Sequence, residues 1–123
     1  MANVILVIED DPDQRRLMER TLTTSGHRIL TACDGQTGLE TALAIHPKLI
    51  ILDVVMPRMN GYQTARALKQ NPRTSAIPIL MVTTKQEPAD EFWASQVGAD
   101  AFLTKPLDIM VLIQTVSRLT EPA

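Results

Sequence analysis

Cys33 is the only cysteine among 123 residues. An intramolecular disulfide and a multi-cysteine zinc site are therefore both excluded, and the cysteine usage suits a reducing, cytoplasmic setting. Aromatic residues make up 3% of the chain, too few for a base-stacking platform. Positive charge shows no surplus: 12 Lys and Arg stand against 14 Asp and Glu, for a net charge of −2. A sequence-independent grip on phosphate backbones needs a basic excess, so nucleic acid is not expected as a direct partner. Long hydrophobic runs are missing too. The most apolar window, Leu49 to Met56, is broken by Asp53 and falls far short of the ~20 residues a membrane span requires. Near the N-terminus, Val4 to Ile8 is followed at once by Glu9, Asp10, Asp11 and Asp13, with no basic flank or cleavage site, which is not a signal peptide. Repeats, low-complexity stretches and linkers are absent.

What remains is a sequence that is 45% hydrophobic, enough to fill the core of one domain of this length. Residues 1–123 are expected to form a single domain with no attached output domain. Short apolar runs alternate with segments of helical period, the pattern of an α/β protein with a parallel sheet covered on both faces. Strands are predicted at Val4 to Ile8, His27 to Ala32, Leu49 to Leu52, Ile77 to Val82 and Ala101 to Thr104. The second is the most polar and suits an edge. Helices are predicted from Asp11-Pro12 to about Ser25, from Asp34-Gly35 to before Pro47, from Asn60-Gly61 to before Pro72, from about Pro88 to Val97, and around Ile109, Leu112, Ile113, Val116 and Leu119. Met18 and Leu22 mark the inner face of the first helix, and Leu39, Ala42 and Leu43 that of the second.

Polar residues that abut buried strands are the informative ones, because an unpaired buried charge is costly. Glu9 and Asp10 follow the first strand, Asp53 the third, Thr83 the fourth and Lys105 the fifth. In a parallel sheet these ends share one edge, where ligands bind. Three carboxylates gathered there require a counter-ion. An all-oxygen donor set favours a hard divalent cation, and so few carboxylates suit Mg²⁺ better than a Ca²⁺ cage. Lys105 adds a positive charge and Thr83 a hydroxyl. An Asp nucleophile in that company is what phosphoryl transfer to a carboxylate needs.

Together, Ile5-Leu6-Val7-Ile8-Glu9-Asp10-Asp11-Pro12, Leu52-Asp53-Val54-Val55-Met56-Pro57-Arg58-Met59-Asn60-Gly61, Val82-Thr83-Thr84 and Lys105-Pro106 resemble the receiver domains of two-component response regulators over nearly the whole length. The resemblance is to the stand-alone, CheY-type members. The stretch Thr83 to Glu87, with Asp90, Trp93, Gly98 and Leu103 to Pro106, is similar to twitching-motility regulators of the PilH and PilG kind. It implies a doubly wound (βα)5, flavodoxin-like fold of strand order 2-1-3-4-5. Asp53 is then the phospho-acceptor, supplied by a sensor histidine kinase or a phosphotransfer protein. Asp10 and Asp53, the Val55 backbone carbonyl and Glu9 would hold Mg²⁺. Thr83 and Lys105 would contact the phosphoryl group, Lys105 being joined to Pro106 by a cis bond, and Thr83 with Phe102 would form the switch. The output would be a downstream protein, met on the face of the fourth helix, fifth strand and fifth helix by a monomer or weak dimer.

Some positions depart from the pattern. Val55, two residues after the acceptor, cannot hydrogen-bond a hydrolytic water, so slow loss of the phosphoryl group is expected; Lys85 occupies the other flanking position. Thr84 is larger than the residue often found there, and Phe102 lacks a hydroxyl. Other residues have plainer readings: Asp11 as a helix cap, His27 and His46 as solvent-facing, Cys33 and the methionines as core filler. Arg15, Arg16, Glu19 and Arg20 read as a solvated stripe, and Trp93 as either core or a partner anchor. Three other functions compete with the switch: a sink that drains phosphate from a shared kinase, a phosphorylation-independent scaffold, and a metal-dependent phosphatase. The scaffold reading is disfavoured by the full set of Asp10, Asp53, Thr83 and Lys105. The phosphatase would need a second Asp where Val55 stands. The chain is thus read as a switch with at most self-phosphorylation and self-dephosphorylation, and not as an enzyme.

Overall fold

A computed structural model describes residues 4–83 and 94–121. Five parallel strands, β1 (Val4–Ile8), β2 (Arg28–Ala32), β3 (Leu49–Asp53), β4 (Ile79–Thr83) and β5 (Ala101–Thr104), lie in the order β2-β1-β3-β4-β5. Helices α1 (Pro12–Thr24), α2 (Gly35–Ile45) and α3 (Gly61–Gln70) fill the first three crossovers, and a C-terminal helix spans Ile109–Thr120. The fourth predicted helix falls largely on residues 84–93, outside the described residues, although 94–96 are helical.

The strands alternate with period two, and each face has its own core. Ile5, Val7, Leu49, Ile51, Leu80 and Val82 pack with Met18 and Leu22 of α1 and with Leu112 and Val116 of the C-terminal helix. Leu6, Ile8, Ile50, Leu52, Ile79 and Met81 pack with Ala42 of α2 and with Ala65 and Leu68 of α3. Since β1, β3 and β4 are apolar on both faces, they can only be central. β2, with Arg28 and Thr31 exposed, takes the edge.

Side-chain caps fix where the helices start. Asp11 accepts from the Asp13 amide, Asp34 from Thr37, and Asp108 from Met110 and Val111, while Asn60 and Gln63 cap each other reciprocally. These caps satisfy amides the helices themselves leave unpaired. α2 ends at Ile45, and His46 turns the chain left-handed at φ 54° ahead of Pro47. Pro78 precedes β4 instead of lying within it, because proline has no amide for the ladder. β2 likewise starts one residue later than predicted, at Arg28.

Three expectations need correction. Cys33 is exposed, since it follows the last paired residue of β2. Among the methionines, Met18 and Met81 are core, but Met110 is 62% exposed, on the outer side of the C-terminal helix with Ile109 and Val111. His27 is half-buried and not solvent-facing.

Candidate functional site

β1 and β3 are adjacent and in register, with Ile8 beside Leu52. The residue after Ile8 and the last residue of β3 therefore emerge side by side. The Glu9 amide still donates to the Ala32 carbonyl of β2 at 3.0 Å, which carries the ladder one residue beyond β1. Glu9 is fully buried and Asp53 nearly so, at 0% and 4% exposure, while Asp10 is more open. Carboxylate oxygens of Glu9, Asp10 and Asp53 all lie within 4.8 Å of one another.

Lys105 reaches the same point from the end of β5. Its Nζ lies 2.6 Å from Glu9 Oε1 and 3.4 Å from Asp53 Oδ1. The Lys105 amide donates to the Thr83 carbonyl at 2.6 Å, which carries the chain past the end of β5, and the Lys105–Pro106 bond is cis. The ammonium thus rests closer to Glu9 than to Asp53.

Burial dominates the electrostatics. It pushes the Glu9 carboxyl up to about 7, against the opposing pull of Lys105, and Asp53 adds to the rise. Asp53 is raised as well, again chiefly by burial, with Lys105 and a hydrogen bond from Glu9 holding it back. Lys105 ends above its usual value, because the two carboxylates outweigh its own desolvation. Among the described residues, three carboxylates against one ammonium leave a formal surplus of two negative charges. A single divalent cation cancels that surplus, and an all-oxygen set of this kind fits a hard one. Among the described residues the donor set therefore fits the expected Mg²⁺.

The remaining expected residues take the following places. Thr83 is fully buried at the end of β4, level with Thr104 of β5. Phe102 lies beside Met81, two residues back along the same pair of strands. By strand alternation Thr83 and Phe102 share one sheet face, and Phe102 is half-buried against the core on that face. The Val55 side chain is 51% exposed, just past Asp53. Thr84, Lys85 and Trp93 lie outside the described residues.

Two contributors escaped the sequence reading. Arg15 does not lie on a solvated stripe: its Nη1 donates to the Glu9 carbonyl at 2.9 Å. The only sequence signal was its position one helical turn past the Asp11 cap. Gly61 packs so closely on Asp53 and Val54 that a Cβ there would collide with the Asp53 carbonyl oxygen and the Val54 Cα. Its amide also donates to the Val54 carbonyl at 2.9 Å. That glycine lets the start of α3 seat the backbone that carries Asp53.

Comparison with known proteins agrees with this fold. The family model of the response regulator receiver domain matches residues 5–117. Protein PilH of Pseudomonas aeruginosa is 37% identical over 113 residues, which is 92% of this chain and 93% of PilH. Other relatives are longer, and the chain spans 26% of some and 49% of another. Chemotaxis protein CheY4 of Vibrio cholerae superposes with a TM-score of 0.91 at 31% identity, covering 97% of this chain and 99% of CheY4. The receiver domain of sensor histidine kinase PA1611 from Pseudomonas aeruginosa PAO1 superposes with a TM-score of 0.90 over 98% of both chains, at 24% identity. That structure has a magnesium ion coordinated in its active site cleft; at this identity the likeness speaks for the fold alone.

Proposed function

Because the chain belongs to the response regulator receiver domain family, we propose that Asp53 accepts a phosphoryl group from a phosphohistidine and that the modification switches a protein-binding surface. The donor is a sensor histidine kinase or a phosphotransfer protein. One observation carries the reading: a buried carboxylate at the end of a central strand has an ammonium 3.4 Å away and two further carboxylates within 4.8 Å.

An Asp53 oxygen attacks phosphorus in line with the N–P bond, which breaks with its electron pair leaving on the imidazole. Asp10, Asp53, the Val55 carbonyl and Glu9 are the groups that would hold Mg²⁺, which when bound offsets negative charge on the phosphoryl oxygens. Lys105 supplies the opposite charge from β5, and its short tie to Glu9 keeps the ammonium poised at the pocket before the phosphoryl arrives. The Thr83 hydroxyl, at the end of β4, is the group to hydrogen-bond a phosphoryl oxygen. Phe102 shares its sheet face, so a shift of Thr83 is felt by a half-buried ring on the neighbouring strand. Without a phenolic hydroxyl, that ring responds through packing alone.

The readout passes to a partner protein on the side of β5 and the C-terminal helix, where Ile109, Met110 and Val111 are exposed. The chemotaxis protein among the structural neighbours and the resemblance to twitching-motility regulators support a role in motility. The test is labelling by a small phosphodonor or a phosphorylated kinase, with and without Mg²⁺. A hydroxylamine-labile phosphoryl group that appears only with Mg²⁺ is the expected result; no label under either condition sinks the proposal.

A further inference from the structure

We infer that Arg15 is a positioning residue for the metal pocket: its guanidinium fixes the peptide unit that joins Glu9 to Asp10, and so sets the direction of both carboxylates. The inference rests on the reading of Glu9 and Asp10 as metal-holding groups given above.

The argument starts from where the strand ends. The Glu9 amide is fixed by the Ala32 carbonyl at 3.0 Å, but beyond β1 the Glu9 carbonyl has left the ladder that would orient it. Arg15 Nη1 takes up that carbonyl at 2.9 Å. A peptide unit is planar, so holding the Glu9 oxygen also holds the Asp10 nitrogen and the line between the two Cα atoms. Arg15 is itself anchored, because its amide donates to the Asp11 carbonyl at 2.9 Å in the first turn of α1. The loop is closed a third time by the Asp11 amide, which donates to Glu9 Oε2 at 3.3 Å. The short segment that carries two of the three carboxylates is thereby stapled to the helix that follows it.

Arg15 acts through the backbone and not through charge. The forces that move the Glu9 carboxyl come from burial, Lys105 and Asp53. Arg16 provides a built-in contrast: the same side chain one residue on pairs with Asp13 at 2.9 Å on the open surface of α1 and leaves the pocket alone.

The sign of the effect separates positioning from electrostatics. A cation that merely sits near the pocket opposes Mg²⁺, so deleting it would tighten binding. A positioning cation, once deleted, weakens binding, as losses of outer contacts to metal ligands do by about 10–100-fold. The experiment is calorimetric titration of the full chain with Mg²⁺ alone, for wild type, Arg15→Met, Arg15→Lys and Arg16→Met, alongside thermal melting without metal. Arg15→Met is expected to weaken Mg²⁺ about tenfold, Arg15→Lys to recover most of that loss, and Arg16→Met to match wild type. If Arg15→Met does not fold, Arg15→Gln carries the same expectation. Unchanged or tighter binding in the folded Arg15 variant overturns the inference, as does an equal loss in Arg16→Met. A wild-type chain that takes up no Mg²⁺ overturns the metal-site reading itself, which is a distinct failure.

Discussion

Replacing Lys105 with methionine keeps a stem of similar length and removes the one ammonium that, among the described residues, faces Glu9 and Asp53. Both carboxyls are buried, and deleting one partner of a buried ion pair costs about 3–5 kcal/mol when the remaining charge has nowhere to go. Here it has an exit, because the carboxyl can take up a proton. Burial already pushes Glu9 up to about 7 with Lys105 in place, and without Lys105 it rises further. A raised carboxyl binds its proton more tightly in the folded chain than in the unfolded one, so its burden on stability is absent below the unfolded value of 4.5 and grows as pH rises through about 7. Wild-type Glu9 has lost its proton above about 7 while the variant's still holds it, so the deficit of Lys105→Met relative to wild type must open above about 7. We expect under about 1 kcal/mol at about pH 5, where both proteins keep the proton, and about 1–2 kcal/mol at about pH 8, since a proton held by the variant alone is worth about 1.4 kcal/mol per pH unit. Urea unfolding in a chelator at those two pH values measures it. Saturating Mg²⁺ should then close most of the gap at the higher pH, since a divalent cation supplies the missing charge. A deficit that is the same at both pH values, or one that Mg²⁺ leaves untouched, refutes the reasoning.

Val55→Asn places an amide where a hydrolytic water would pass, and one added hydrogen bond of about 1 kcal/mol should shorten the phosphoryl lifetime several-fold, about five- to tenfold; a chase of labelled protein reads it, and an unchanged lifetime counts against the role given to Val55. Gly61→Ala drives a Cβ into the Asp53 carbonyl and the Val54 backbone, so about 1–3 kcal/mol of stability should be lost in urea unfolding, together with Mg²⁺ affinity. Retention of both would mean that α3 can back away at no cost. Lys69 donates to the Ser75 and Ile77 carbonyls at 3.2 and 2.9 Å and lies 3.5 Å from Asp100. Lys69→Met should cost about 2 kcal/mol without changing Mg²⁺ affinity, because that cluster joins the start of β4 to the start of β5, away from the carboxylates.

Much of the molecule is legible in the residues themselves. β1, β3 and β4 are apolar on both faces, so they had to be central, and their polar last or next residues had to share an edge; Glu9, Asp10, Asp53 and Thr83 follow from that, and Lys105 joins them as the residue after β5. Strand order came from resemblance, since composition does not rank three equally apolar strands. The misreadings have physical causes. Arg15 was read from helical periodicity, which places Cα atoms and says nothing of a long flexible stem that folds back to a carbonyl. Gly61 looked like an ordinary turn glycine after Asn60, whereas the need for glycine arises from the approach of β3, eight residues earlier in the chain. Met110 lies off the apolar period of the C-terminal helix, which runs through Ile109, Leu112, Ile113, Val116 and Leu119, so reading it as core by residue type alone overrode the helical pattern.

The central claim is that Asp53 takes a phosphoryl group, and the most direct test is intact mass after incubation with Mg²⁺ and acetyl phosphate, for wild type and Asp53→Asn side by side. One added phosphoryl mass on wild type and none on Asp53→Asn is the expected result. Wild type that stays unmodified with every donor and kinase, or Asp53→Asn that gains the same mass, would contradict it.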